Sequence, residues 1–140
     1  MKTVIYGQNE RVIDWVGRQV NEFDFGSASG IGLEEDGELI AGVVFNLYTG
    51  PSISMHVAAV PGKRWMTKEY LWRCFAYPFL QLKCNRITGL VRADNYEAQR
   101  FDEHLGFKRE GVMRRANDDG TDMIVYGMLR EECRFLGIKK

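Results

Sequence analysis

Residues 51–82, PSISMHVAAVPGKRWMTKEYLWRCFAYPFLQL, read as a strand, a short loop and a helix. Ile53, Met55, Val57 and Ala59 recur with a period of two, the pattern of a strand with one buried face. Pro61 and Gly62 end that strand. Proline has no amide hydrogen to give a ladder, and glycine takes backbone conformations closed to other residues. From about Trp65 the apolar residues Met66, Tyr70, Leu71, Cys74 and Phe75 fall at helical spacing, so a helix is expected to begin just after Gly62, Lys63 and Arg64. The first amides of a helix lack internal partners, and the helix dipole puts partial positive charge at the same end. Lys63 and Arg64 add two full charges beside a glycine where a backbone can approach a ligand. The junction is therefore a candidate seat for a pyrophosphate, with a basic solvated turn capping a core helix as the plainer reading.

Before this stretch, residues 3–6 form a short strand ended by Gly7. Asn9 then opens a helix whose Val12, Ile13, Trp15, Val16, Val20 and Phe23 lie along one stripe. Gly17 weakens that helix, so packing must hold it. A loop over 26–30 leads to strands over 31–35 and 39–48, joined by the hairpin signal Asp36-Gly37. After the stretch, 86–92 (RITGLVR) is a strand rich in β-branched and apolar residues. Asp94, with Glu97 three residues on, has the form of a capping box for a helix carrying Ala98, Phe101 and Leu105 on one face, which Gly106 terminates. Strands over 107–115 and 122–129 make a last hairpin, and the tail 131–136 is a short helix or an extended cover. A strand, a crossover helix and a following strand predict one parallel pair inside an otherwise antiparallel sheet. Clefts favour the place where such neighbours part, and the Gly62 loop would sit there.

With 140 residues the chain suits one domain, 1–140, and its 19 acidic and 19 basic residues leave no net field to favour nucleic acid. Cys74, Cys84 and Cys133 are odd in number and lack metal-ligand spacing, which points to a reducing compartment and no metal. No apolar run approaches the roughly 20 residues that span a bilayer, and Met1-Lys2-Thr3 leads straight into a strand, so the cytoplasm is the expected location and no membrane contact is expected.

The order of elements and two segments resemble the GNAT superfamily of N-acetyltransferases. Residues 95–111, NYEAQRFDEHLGFKREG, look like the family's second motif, in which an Asn opens a helix, an Ala follows three residues later and Leu-Gly-Phe closes it. Residues 62–67, GKRWMT, lie where the family places its CoA-phosphate loop. WRCFAYPFLQL and YGMLREECRFL look more narrowly like acetyltransferase-like proteins of phages and prophages. The resemblance implies an α+β fold: a mixed, mostly antiparallel sheet of about seven strands flanked by helices, with a central parallel pair splayed at the cofactor cleft. It implies an acetyl-CoA-dependent N-acetyltransferase acting on a primary amine. The backbone of Ala58, Ala59 and Val60 would hold the pantetheine arm. Gly62, Lys63, Arg64, Trp65, Met66 and Thr67 would hold the pyrophosphate, and Asn95 would reach the pantetheine or the acetyl end. GKRWMT has one glycine where the family's loop commonly has two. Asp102 stands where many members carry a tyrosine that protonates the departing thiolate. An ionised carboxylate cannot donate a proton, so the acid is expected elsewhere or not at all.

Acetyl transfer needs an uncharged amine, a polarised thioester carbonyl and a route for one proton. His56, one step off the apolar set of its strand, is the first candidate base, and a histidine satisfied on the sheet surface is the plain alternative. Glu34 and Glu35 are weaker candidates. Tyr126, in the last hairpin, is a more credible acid than Tyr96, although most tyrosines at alternating positions only pack. The basic residues Lys83, Arg86, Arg92, Arg100, Lys108, Arg109, Arg114 and Arg115 keep a nucleic-acid-modifying rival open, with a solvated mixed-charge surface as the plainer account. The other rival is a catalytically silent binding module of the same fold acting on a host protein. Sheet edges leave a homodimer open.

Overall fold

A computed structural model describes residues 1–22 and 24–136, so Phe23 of the predicted helical stripe lies outside the described residues. In chain order the elements are β1 (Lys2–Ile5), α1 (Asn9–Val20), β2 (Ala28–Glu35), β3 (Glu38–Asn46), β4 (Ser52–Ala59), α2 (Lys68–Ala76), β5 (Arg86–Arg92), α3 (Tyr96–Leu105), β6 (Lys108–Met113) and β7 (Met123–Leu129). The strands form one sheet in the order β1-β2-β3-β4-β5-β7-β6. Every neighbouring pair is antiparallel except β4 and β5, the parallel pair that the crossover through α2 requires. The β2–β3 hairpin turns at Asp36 and Gly37 with φ of 53° and 89°, the doubly left-handed turn whose twist matches its strands.

Period-two alternation splits the sheet into two faces. One carries Ile31, Leu33, Val43, Phe45, Ile53, Met55, Ile87, Val91, Tyr126 and Met128 and packs against Tyr70, Leu71, Cys74 and Phe75 of α2 and Leu105 of α3. The other carries Val44 and Ala58 under Val12 and Val16 of α1. This second contact is close because the strand positions beneath the helix are glycines. A Cβ on Gly30 would meet Val12 Cγ1 at 2.8 Å, and one on Gly42 would meet Val16 Cγ2 at 2.6 Å. Predicted as loop, residues 28–30 are instead the start of β2, for the same reason: without side chains they slide beneath α1 and stay in register with β3.

Three other expectations need correction. Asn9 does not cap α1 through its side chain; its Oδ1 accepts from the Gly30 amide at 3.1 Å and ties the helix start to β2. Nor does α2 begin at Trp65. It begins at Lys68, because the Thr67 hydroxyl accepts from the Tyr70 amide at 3.2 Å and fixes the first turn there. At α3 the cap is Asn95, whose Oδ1 accepts from the Ala98 amide at 3.1 Å, while the Asp94 carboxylate pairs with the Arg92 guanidinium. Beyond Ala76 the helix widens into a π turn over Tyr77–Gln81 that contains Pro78. The tail forms two 3₁₀ turns, Arg130–Glu132 and Arg134–Leu136, which cover the helices. Phe135 stacks on Phe75 at 5.1 Å, and Arg134 donates to the carbonyls of His104 and Leu105 at the end of α3.

Candidate active site

The parallel ladder between β4 and β5 is three residues long. Ser52, Ile53 and Ser54 pair with Arg86, Ile87 and Thr88; beyond them β4 runs on to Ala59 and β5 to Arg92 without pairing. The strands therefore part, as the sequence predicted. The Val60 amide donates to Ile40 at 2.8 Å and its carbonyl accepts from the Lys63 amide, so Val60 is fully engaged. By the alternation of an antiparallel ladder, Ala58 also bonds toward β3, while Val57 and Ala59 turn their peptide groups to the opening. Of the three backbone positions expected at a pantetheine arm, Ala59 is the one that faces it.

At the open end, residues 60–67 cross from β4 to α2. Gly62 has φ of 82°, a left-handed conformation that strains any side chain. The amides of Arg64, Trp65 and Met66 make no hydrogen bond among the described residues. Lys63 reaches Glu35 at 3.2 Å in a half-exposed pair, and Arg64 is exposed with no carboxylate partner among the described residues. Unpaired amides beside two cations suit a diphosphate. Trp65 turns inward instead. Its ring lies 5.1 Å from that of Phe101 on α3 and 6.1 Å from that of Tyr70 on α2. Together with Val57 and Leu105 it lines a void of about 10 Å³ between α2, α3 and strands β3 and β4.

His56 and Tyr126 lie on opposite faces of the sheet. His56 is on the α1 face, half-buried, its ring 5.1 Å from that of Phe25. The Asn46 side chain gives its Nδ2 hydrogen to the Phe25 carbonyl, so its Oδ1 is the acceptor for His56 Nε2 at 2.9 Å. That arrangement puts the proton of the neutral ring on Nε2 and leaves Nδ1 with a free lone pair. Burial pulls the His56 pKa below its ordinary value, partly opposed by the charge of Glu22. Tyr126 is on the α2 and α3 face, fully buried, and donates to Glu103 Oε2 at 2.7 Å. Burial, then the bond to Glu103, pushes its pKa up to about 12, away from the range of a useful proton donor at neutral pH.

What sequence reasoning missed is the protonation of Asp102. Burial, reinforced by the neighbouring Glu103 charge, raises its pKa to about 7, so near neutrality half of it carries a proton. The reading that Asp102 is ionised is corrected here. Its Oδ2 lies against β5 where a Cβ on Gly89 would sit 3.1 Å away, one residue past the end of the parallel ladder. A signal existed in the sequence: Asp102 follows Ala98 by four residues and so flanks the buried stripe of α3. The Asn95 side chain caps its own helix, and Arg92 fixes that junction by bonding Asp94 at 3.0 Å and Asp119 at 2.7 Å. Three of the eight residues of the basic run are in ion pairs: Arg86 with Glu110, Arg92 with Asp94 and Asp119, and Lys108 with Glu132. Cys74, Cys84 and Cys133 are all buried. Among the described residues no helix is long and apolar enough to cross a membrane.

This strand order, with one parallel pair that parts beside its crossover helix, is the GNAT N-acetyltransferase fold. No family model and no curated protein sequence matches the chain. Among solved structures it is similar to spermidine N-acetyltransferase SpeG from Vibrio cholerae in complex with CoA and spermine: TM-score 0.73, 15% identity, 97% of this chain and 98% of that one. A chimera of that enzyme with hSSAT superposes with a TM-score of 0.74 at 16% identity, over 97% and 99% of the two chains. At these identities the likeness is one of fold.

Proposed function

We propose that the protein is an acetyl-CoA-dependent N-acetyltransferase that transfers an acetyl group directly to a primary amine. The observation that carries this reading is the opening between β4 and β5 that starts after Ser54 and Thr88 and ends at the cationic Gly62 loop. The solved complex of SpeG with CoA and spermine supports the choice of ligands. Arg64, Lys63 and the amides of residues 64–66 would hold the diphosphate, with Met66 and Thr67 at the helix entry, and Ala59 would pair with the pantetheine as an added strand does. Acetyl-CoA supplies the thioester carbonyl and a thiolate leaving group.

His56 Nδ1 takes the proton from the amine as the C–N bond forms. Asp102 gives its proton to the sulfur as the C–S bond breaks. The imidazolium then returns its proton to the Asp102 carboxylate through solvent, so the cycle closes without a covalent enzyme intermediate. Tyr126 is assigned a positioning role, holding Glu103, whose charge helps keep Asp102 protonated.

Trp65 packs on Phe101 beside Val57 and narrows the β4 side of the opening, and in this reading it moves aside when the pantetheine arm enters. That same narrowing favours a second reading, a silent module of this fold; its narrower resemblance to phage-encoded proteins suits a role on a host protein. Calorimetry with acetyl-CoA, together with mass spectrometry of an amine library incubated with it, separates the two. Binding with acetylated product is expected. Folded protein that binds no acetyl-CoA at millimolar concentration sinks the enzyme reading and leaves the module.

A further inference from the structure

At the far end of α2 from the Gly62 loop, the sheet edge is open. β1 ends at Ile5 opposite Gly32, so residues 28–31 of β2 have no strand on their outer side. A cavity of about 470 Å³ lies there, between the start of α1 and the π turn that follows α2. The extra backbone of a π turn weakens helical hydrogen bonding and re-aims side chains, and such turns recur at functional sites. Here it directs Tyr77, Leu80 and Gln81 into the cavity.

Three polar side chains of the lining offer free donors. Arg73 holds its guanidinium 5.2 Å from the Tyr6 ring centre and 5.5 Å from that of Trp72, with no carboxylate partner among the described residues. The Tyr77 oxygen accepts from Ser29 Oγ at 2.9 Å, which leaves the Tyr77 hydroxyl hydrogen to donate. The Asn9 Oδ1 is occupied by the Gly30 amide, which leaves its Nδ2 hydrogens. No Asp or Glu lines the space. Two aromatic faces, a guanidinium, a phenol and an amide converge on a volume typical of small-molecule sites.

We propose that this cavity is a second binding site, separate from the β4–β5 opening, for a small organic anion carrying a planar ring. The ring lies along Tyr6 and Trp72, and its carboxylate or phosphate meets Arg73, the Tyr77 hydroxyl and the Asn9 amide. Calorimetry on the intact protein tests it with naphthalene-2-carboxylate against the neutral naphthalene-2-carboxamide, and with 2-naphthyl phosphate against 2-naphthol. At least one anion is expected to bind tenfold more tightly than its neutral partner, and the arm that does so tells a carboxylate from a phosphate ligand. Arg73→Gln is expected to erase that preference and Tyr77→Phe to reduce it several-fold, whereas Arg115→Gln, in the turn after β6 at the opposite sheet edge, leaves it intact. Gln81→Glu, which sets a negative charge at the rim, gives an independent loss of anion binding should Arg73→Gln disturb the fold. Equal binding of anion and neutral partner, a preference that survives Arg73→Gln, or no binding of either anion at millimolar concentration overturns the proposal.

Discussion

Asp102 shows how far one side chain's surroundings can move its chemistry. Its folded pKa of about 7 stands above the ordinary 3.8, so the folded state holds a proton that the unfolded state has released across that interval. The stability this gives is complete below pH 3.8 and is lost as pH rises through 7. Asp102→Asn is therefore expected to leave the urea midpoint near pH 4 unchanged and, discounting for partial solvent access, to raise stability by about 2 kcal/mol at pH 8. His56 works in the opposite sense. Its folded pKa lies below 6.5, so its contribution is present above pH 6.5 and lost as pH falls toward the folded value. If His56 must be neutral and Asp102 protonated, kcat/KM is bell-shaped, rising with pH below 6.5 and falling through about 7. Asp102→Asn is expected to reduce kcat by about 10²-fold and abolish the alkaline limb. An unchanged limb in that variant would show that another group delivers the proton.

Among the elements, the loop between β4 and α2 has the most to do. Its conformation was half legible in sequence: Pro61 and Gly62 announced the break, and the left-handed φ at Gly62 shows why a glycine stands there. What sequence could not give was the helix start. Trp65 and Met66 fit helical spacing as well as Lys68 does, and only the Thr67 cap decides against them. Pattern alone also could not say that Trp65 packs across the groove onto Phe101, a contact between segments 36 residues apart. If that contact closes the groove, cofactor binding must first break it, and the apparent affinity is reduced by the closed fraction. Trp65→Ala is thus expected to tighten acetyl-CoA binding several-fold by calorimetry, and in a Trp15→Phe, Trp72→Phe background the fluorescence of Trp65 should shift on binding. Weaker binding by Trp65→Ala would mean that the indole holds the ligand instead of excluding it.

In the whole molecule, the chain order of elements and the parallel pair followed from the sequence because hairpin signals, crossover length and period-two alternation are local, whereas the insertion of β7 between β5 and β6 is a long-range pairing that no local signal carries. The placement of His56 on the face opposite the apolar set was legible too, but its partner Asn46 depends on the β3–β4 register, which sets Asn46 against Ser54 and brings it diagonal to His56. The architecture puts the proposed site on both faces of one sheet: His56 beneath the small cluster of α1, and Asp102 with the Gly62 loop beside the large cluster of α2 and α3. The two clusters share the sheet but not their helices, so loosening one is expected to leave the other in place. Val16, fully buried on the sheet-facing side of α1, lies in the small cluster with Phe25, whose ring packs on His56. Val16→Ala removes two methyl groups there at about 2 kcal/mol of stability. It is expected to lower kcat and raise KM for the amine while the acetyl-CoA dissociation constant stays within about twofold of wild type. A parallel loss of acetyl-CoA affinity would show that the two faces do not respond separately, and the division of base and acid between them would have to be withdrawn.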